Sequence, residues 1–318
     1  MRRFDVFNGD ADGICALHQL RLAQPAEATL VTGLKHEIRL LERVSAQAGD
    51  EVTVLDISLE RNRQALLALL GKGVRVRYFD HHHAGDIPEH PGLVATIDAG
   101  GLACTSELVD ASLGGRFRAW AVVAAFGDNL GAAAARLAAS AGIETPLLER
   151  LRMLGECLNY NAYGCAPEDA LVAPEDLYRI VHRHADPAGL LATEPVIAEL
   201  DAQRGADLDQ ALAHLRANAA GPGEPLVLPG TRWARRVMGT LANRLARDEP
   251  GRAHAVVVPL PDGGFGASVR VPSGMLPTAS EFCRGFPSGG GRTTAGGVER
   301  LDEAGLEALR EAFSAAYG

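Results

Sequence analysis

The stretch VRVRYFDHHHAGD, Val74 to Asp86, places an aspartate and three consecutive histidines where a strand-like alternation runs out. Carboxylates and imidazoles bind metals and move protons. One surface histidine is usually solvated, and a run of three can be a polar tract, so the reading turns on what else reaches that place. NGDADG sets Asp10 and Asp12 on a glycine-rich turn, VTVLDIS runs a strand into Asp56, and AFGDN puts Asp128 after an apolar helical run. Taken alone, each has a plainer role: a helix N-cap for a strand-terminal aspartate, a turn for DADG. Together they would be several aspartates and a histidine at one sheet edge, strongly repulsive unless compensated. Divalent cations would compensate them, and a mainly oxygen donor set with one or two imidazoles suits Mn²⁺ or Mg²⁺ better than zinc. Two such ions about 3.5–4 Å apart, bridged by a carboxylate, are the usual apparatus of phosphoester hydrolysis.

The elements that must position these residues alternate. RRFDVFN, EATLVTG, DEVTVLDIS and VRVRYFDHH read as strands, with ICALHQLRLAQ, HEIRLLERVSAQ and ERNRQALLALLGK as helices between them. Such alternation gives βαβ units and a mainly parallel sheet with helices on both faces, whose sites lie outside the carboxyl ends of the strands. A helix-rich region follows (TSELVDASLG, AWAVVAAFGDNLGAAAARLAAS, PLLERLRMLGECLNYNAYG), and ANAAGPGEPLVLPG reads as a linker after the helix ADLDQALAHLRANAA. AHAVVVPLPDGGFGASVRVPSG then gives two strands joined by the Asp262-Gly263-Gly264 turn, and LDEAGLEALREAFSAAY a closing amphipathic helix. The expected fold is α/β: an N-terminal, mainly parallel sheet flanked by helices over 1–195, a helical linker over 196–224, and a smaller α/β domain over 225–318.

The chain has 318 residues, 47% of them hydrophobic, and a net charge of −9. No apolar run approaches the roughly 18 residues of a membrane helix; WAVVAAF is the strongest and is core-sized. The two starting arginines lack the apolar segment of a secretory leader. Five cysteines, scattered singly with no CxxC, read as reduced and buried, so a cytoplasmic location is expected. The acidic balance argues against coating long nucleic acid but not against a nucleotide or short oligonucleotide in a pocket. No GxSxG and no close Cys–His pairing supports a serine or cysteine hydrolase.

DADG, a strand-terminal aspartate, DHH, a later Gly-Asp and a glycine-rich C-terminal motif together resemble the DHH phosphoesterases over nearly the whole chain. GASVRV and GGGRTTAGG are similar to the substrate-binding elements of the DHH-associated C-terminal domain. The resemblance implies a manganese-dependent hydrolase with its active site in the interdomain cleft. It implies Asp10 as a ligand of a first metal, Asp12 of a second, Asp56 as the bridging carboxylate, and His81 and Asp128 as further ligands. Asp80 would orient His81, His82 would face the phosphate or assist proton transfer, and His83 would be a solvated surface residue. Arg270 and the backbone of Gly289, Gly290 and Gly291 would hold a terminal phosphate or nucleotide. Two positions depart from the pattern. The family's histidine four residues before the first aspartate is Val6 here, with Asn8 as a substitute ligand, which leaves open whether one or two metals bind. GGGH reads GGGR, and Arg292 offers bidentate anion contacts. Lys35 and His36 follow the second strand and lie near the same edge, while His182 and His184 are read as structural or surface.

The expectation is a Mn²⁺-dependent phosphoesterase, with Mg²⁺ as the other ion considered. It would hydrolyse a small phosphorylated substrate, a short oligonucleotide, dinucleotide or nucleotide, by metal-activated water. One rival is a metal-depleted relative that binds a nucleotide or phosphometabolite without hydrolysis, favoured by Val6. The other is a single-strand exonuclease, which calls for a basic, aromatic-lined groove, against only 5% aromatic residues here. Neither long duplex nucleic acid nor a membrane is expected as a partner; a homodimer is entertained.

Overall fold

Strand β1 (Arg3–Asn8) turns at Gly9 into helix α1 (Ala11–Ala23), followed by β2 (Thr29–Gly33), β3 (Glu51–Leu55), α2 (Leu59–Gly71), β4 (Arg75–Asp80) and β5 (Leu93–Ile97). The computed structural model describes residues 1–218, 221 and 223–318. The five strands lie in the order β2-β1-β3-β4-β5, every pair parallel. With β2 on one side of β1 and β3 on the other, the carboxyl ends of β1 and β3 form the switch point at which such sheets open a site.

Successive side chains of a strand point to opposite faces. Val6, Val54 and Tyr78 join the core under α2, whereas Phe7, Leu55 and Phe79 join a larger core on the other face. Residues of α3 (Thr105–Ser112), α4 (Arg118–Gly127), α5 (Gly131–Ser140), α6 (Thr145–Ala162), α7 (Pro174–His182) and α8 (Pro187–Thr193) build that second core with α1. The sheet is therefore covered on both faces, as its apolar strands require.

Two elements differ from expectation. HEIRLLERVSAQ forms only a 3₁₀ turn at Leu40–Arg43. Leu40 and Leu41 are buried, and Asn62 of α2 accepts from Leu41 N–H (3.2 Å) and donates to the Ile38 carbonyl (2.6 Å). These tertiary contacts override a helical pattern. The segment Leu93–Ile97, not anticipated as a strand, pairs along β4 as the sheet edge.

Helix α9 (Pro195–Ala217) takes most of the stretch expected as a linker. Of that linker's glycine- and proline-rich part, Ala219, Ala220 and Pro222 lie outside the described residues. The chain divides into one unit of Met1–Ala162 with Leu171–Leu200 and a second of Tyr163–Ala170 with Asp201–Gly318. The second unit contains β6 (Leu226–Val227), α10 (Arg232–Asp248), β7 (His254–Pro259), β8 (Phe265–Arg270), α11 (Ala279–Arg284), β9 (Gly289–Gly291), β10 (Ala295–Leu301) and α12 (Glu303–Tyr317). Its sheet runs β6-β7-β8-β10-β9, with β6 parallel to β7 and the other pairs antiparallel. The β7–β8 hairpin closes through Leu260 N–H to the Gly264 carbonyl at 2.9 Å, with Gly263 and Gly264 at φ of 90° and 79°. No helix among the described residues is long and apolar enough to cross a membrane.

Candidate metal centre

The DADG turn is at once a helix start and part of the site. Asp10 is the N-cap of α1, its Oδ1 accepting from the N–H groups of Asp12 and Gly13 at 3.1 Å each. A Cβ on Gly13 would lie 2.1 Å from the Asn8 carbonyl oxygen, so only glycine lets the helix begin this close to the strand end. Asp12 is fully buried and held by the start of α3: Thr105 N–H donates to Oδ2 (2.8 Å) and Ser106 N–H to Oδ1 (2.7 Å). A helix N-terminus favours a carboxylate there.

Asp56 follows β3 with φ of 58°, the left-handed region that aspartate tolerates better than most residues. Its N–H donates to the Phe79 carbonyl (3.0 Å), and Thr105 Oγ1 donates to its Oδ1 (3.3 Å). Asp128 caps the C-terminal end of α4. It is positioned by a close helix crossing, since a Cβ on Gly127 would sit 2.4 Å from Ala11 Cβ.

His81 shows what joins these groups. Its Nδ1 lies 2.9 Å from the Ala103 carbonyl, which can only accept, so Nδ1 carries a proton. Nε2 then faces Asp56 Oδ1 at 3.3 Å, Asp128 Oδ2 at 3.4 Å and Asp12 Oδ2 at 3.7 Å. An imidazole nitrogen among three carboxylate oxygens is repulsive unless a cation or a proton lies between them. Ligand atoms of Asp12, His81 and Asp128, and of Asp56, His81 and His82, fall within 4.8 Å of one another. Burial, then the neighbouring Asp10 and Asp12, pushes the Asp56 carboxyl well above its ordinary range, and burial followed by Asp128 raises Asp12. Asn8 Oδ1 and Asp80 Oδ2 are buried without a hydrogen-bond partner among the described residues. A buried, under-compensated oxygen-rich set with one imidazole fits a divalent ion of the Mn²⁺ or Mg²⁺ type.

Other residues land differently from expectation. Asp80 does not orient the His81 ring, which the Ala103 carbonyl holds. Its Oδ1 instead accepts from the His81 backbone N–H (2.9 Å) and lies 2.7 Å from His82 Nδ1. Burial disfavours charge on His82, but Asp80 outweighs it and raises the imidazole above its ordinary value. His83 is exposed. Val6 is a fully buried core residue. Sequence reasoning placed Lys35 only near the strand-end edge, yet its ammonium sits on Asp10 and Asn159. Asn159, the Ala103 carbonyl and the Thr105–Ser106 N–H groups were not foreseen. Asn159 had one visible signal, the pair Asn159 and Asn161 in an otherwise core-forming helix end. His182 is structural: with His184, it partners the buried His18, whose Nδ1 meets His182 Nδ1 (3.0 Å) and whose Nε2 meets the His184 carbonyl (2.9 Å).

In the second unit, Arg270 is buried, donating from Nε to Asn243 Oδ1 (2.7 Å) and from Nη1 to Ser268 Oγ (3.0 Å) and the Val269 carbonyl (2.8 Å). Gly289, Gly290 and Gly291 form β9, paired with β10, rather than an open loop. A Cβ on Gly289 would lie 1.6 Å from the Cys283 carbonyl oxygen, and one on Gly291 2.4 Å from that of Ala295, so packing alone demands glycine at both. Arg292 is half-buried and donates its N–H to the Ala295 carbonyl at 2.7 Å.

No family model matches the sequence, and no curated protein does. Solved structures match it in fold. A manganese-bound exonuclease RecJ matches at 20% identity and a TM-score of 0.63, over 99% of this chain and 89% of that one. RecJ from Thermus thermophilus in complex with Mn²⁺ matches at 20% identity and 0.65; this chain, 99% covered, spans 51% of its length. The pGpG-specific phosphodiesterase PggH from Vibrio cholerae matches at 12% identity and 0.54, over 99% of this chain and 100% of that one. The chain shares the fold of these structures.

Proposed function

We propose that this chain is a divalent-metal phosphoesterase that hydrolyses a short oligonucleotide, dinucleotide or nucleotide, with Mn²⁺ as the working ion. The observation that carries this reading is the convergence of His81 Nε2 with Asp12, Asp56 and Asp128 oxygens at 3.3–3.7 Å. Asp12, Asp56, His81 and Asp128 would hold the ion, which when bound supplies positive charge to a phosphoryl oxygen and acidifies a water. The chain's own groups do the rest. The Thr105 hydroxyl and the α3 N-terminus fix two of the carboxylates, so they need not reorganise during the reaction. His82, whose imidazole Asp80 raises above its ordinary value, would offer a proton to the leaving oxygen. Arg292 and the β9 backbone, with Arg270 supporting β8, are the proposed grip on a terminal phosphate. The net charge of −9 favours a short substrate over long nucleic acid, and the solved relatives in fold include an exonuclease and a dinucleotide phosphodiesterase. The five cysteines carry free thiols, in keeping with a reducing, cytoplasmic setting.

The test is a panel of linear and cyclic dinucleotides, short RNA and 3′-phosphoadenosine phosphate, each with Mn²⁺, with Mg²⁺ and with chelator. Turnover of a short substrate that disappears with chelator and in Asp56→Ala is expected. Undiminished turnover in Asp56→Ala would discard the mechanism, and binding without turnover would favour the non-hydrolysing rival.

A further inference from the structure

Lys35 follows β2 and reaches into the carboxylate cluster. Its Nζ pairs with Asp10 Oδ2 and lies 3.2 Å from Asn159 Oδ1 and 3.5 Å from Asp128 Oδ1. These three acceptor oxygens match the three donors of an ammonium. Asp128 is divided between two places: Oδ1 faces Lys35, while Oδ2 faces His81 Nε2 at 3.4 Å. Among the described residues, Asp10 belongs to neither group of side chains close enough to share an ion. Its Oδ1 is already occupied by two backbone N–H groups, and its Oδ2 by the ammonium.

We propose that this is a one-ion centre in which the Lys35 ammonium stands where a second divalent ion would otherwise be held, tying Asp10 to Asp128. The proposal rests on the reading that Asp12, Asp56, His81 and Asp128 hold an ion. Coordination supports it. A hard divalent ion takes about six oxygens or more, whereas the oxygens here are already engaged: Asp10 Oδ1 by two backbone N–H groups, and Asp10 Oδ2, Asn159 Oδ1 and Asp128 Oδ1 by the ammonium. Lys35 is thus a positioning residue: it sets where Asp10 and Asp128 point and how many ions bind.

The experiment is a Mn²⁺ titration of the full chain by calorimetry, with electron paramagnetic resonance of the loaded protein. Wild type is expected to bind about one ion per chain with the spectrum of an isolated Mn²⁺, and Lys35→Arg to do the same. Lys35→Met, which removes the charge and keeps the length, is expected to bind about two, with the spectrum of a coupled pair at the roughly 3.5–4 Å spacing of two-ion sites. Two coupled ions in wild type overturn the proposal, as does a folded Lys35→Met that still binds one ion with unchanged affinity. The wild-type stoichiometry decides the matter if Lys35→Met does not fold. Absence of Mn²⁺ binding to every variant overturns the ion-holding reading itself, and this proposal with it, a result distinct from a stoichiometry of two.

Discussion

Asp56 combines a left-handed backbone, full burial and a carboxyl pushed well above its ordinary range, a set of costs that local stability would not select. Relieving them should stabilise the metal-free protein. Asp56→Asn is expected to raise its melting temperature at neutral pH, because it removes the buried charge. The same change should abolish the additional rise caused by Mn²⁺; a variant that melts lower without metal and responds fully to Mn²⁺ would contradict the assignment. His82 separates two roles. If its proton is what matters, His82→Gln lowers kcat about 10²–10⁴-fold with little change in Mn²⁺ affinity. A fall in affinity beyond about 100-fold would instead make it a ligand.

At the scale of elements, the site depends on how closely α1, α4 and α6 cross. A Cβ on Gly155 of α6 would lie 2.2 Å from the Val123 carbonyl oxygen, and one on Gly127 of α4 2.4 Å from Ala11 Cβ. Gly127→Ala should cost about 1–3 kcal/mol in denaturant unfolding. It should also weaken Mn²⁺ binding, because Asp128 is the next residue; a stability loss with unchanged metal affinity would uncouple the crossing from the site. The α1–α7 contact carries a pH dependence of its own. His18 Nε2–H donates to the His184 carbonyl, so neutral His18 accepts at Nδ1 from His182. Burial, reinforced by His182, lowers His18 from 6.5 to about 3. The folded state therefore binds fewer protons than the unfolded one below pH 6.5, and stability falls as pH drops from there toward 3. By pH 5 the loss is about 2 kcal/mol. His18→Leu should be less stable at pH 7 yet show a shallower fall from pH 6.5 to 4.5 in urea titrations. An unchanged slope would remove His18 as its source.

At the scale of the whole molecule, a short segment between α6 and α7 serves the second unit. Tyr163–Ala170 belongs to it, and a Cβ on Gly239 of α10 would meet the Tyr163 ring at 2.1 Å. Asp169, fully buried, takes Arg235 Nε and Nη2 at 2.7 Å each and the Cys165 N–H at 3.0 Å. Removing one partner of such a pair strands the other charge. Asp169→Ala should therefore destabilise the protein by about 3–5 kcal/mol, while Asp169→Ala with Arg235→Met should recover most of the loss. Calorimetric melting of both variants checks this, and equal losses would show that the pair's charge is not the issue.

Strands β1 to β4 with helices α1 and α2, the β7–β8 hairpin and the strand-end positions of Asp10, Asp12, Asp56, Asp80 and His81 were all legible in the sequence. Each rests on local rules: side-chain period, turn chemistry, and the tendency of parallel sheets to gather function at their carboxyl ends. What tertiary structure alone decided depends on partners far apart in the chain. Leu41 and Asn62 hold Leu40–Arg43 out of a longer helix, and the Ala103 carbonyl, 22 residues from His81, sets which imidazole nitrogen faces the carboxylates. Lys35 meets Asp10 across 25 residues and Asp128 across 93. Residue type and spacing reveal which groups can carry charge, but which charges neutralise one another is fixed only when the folded backbone brings them within a few ångströms, where burial makes every uncompensated one costly.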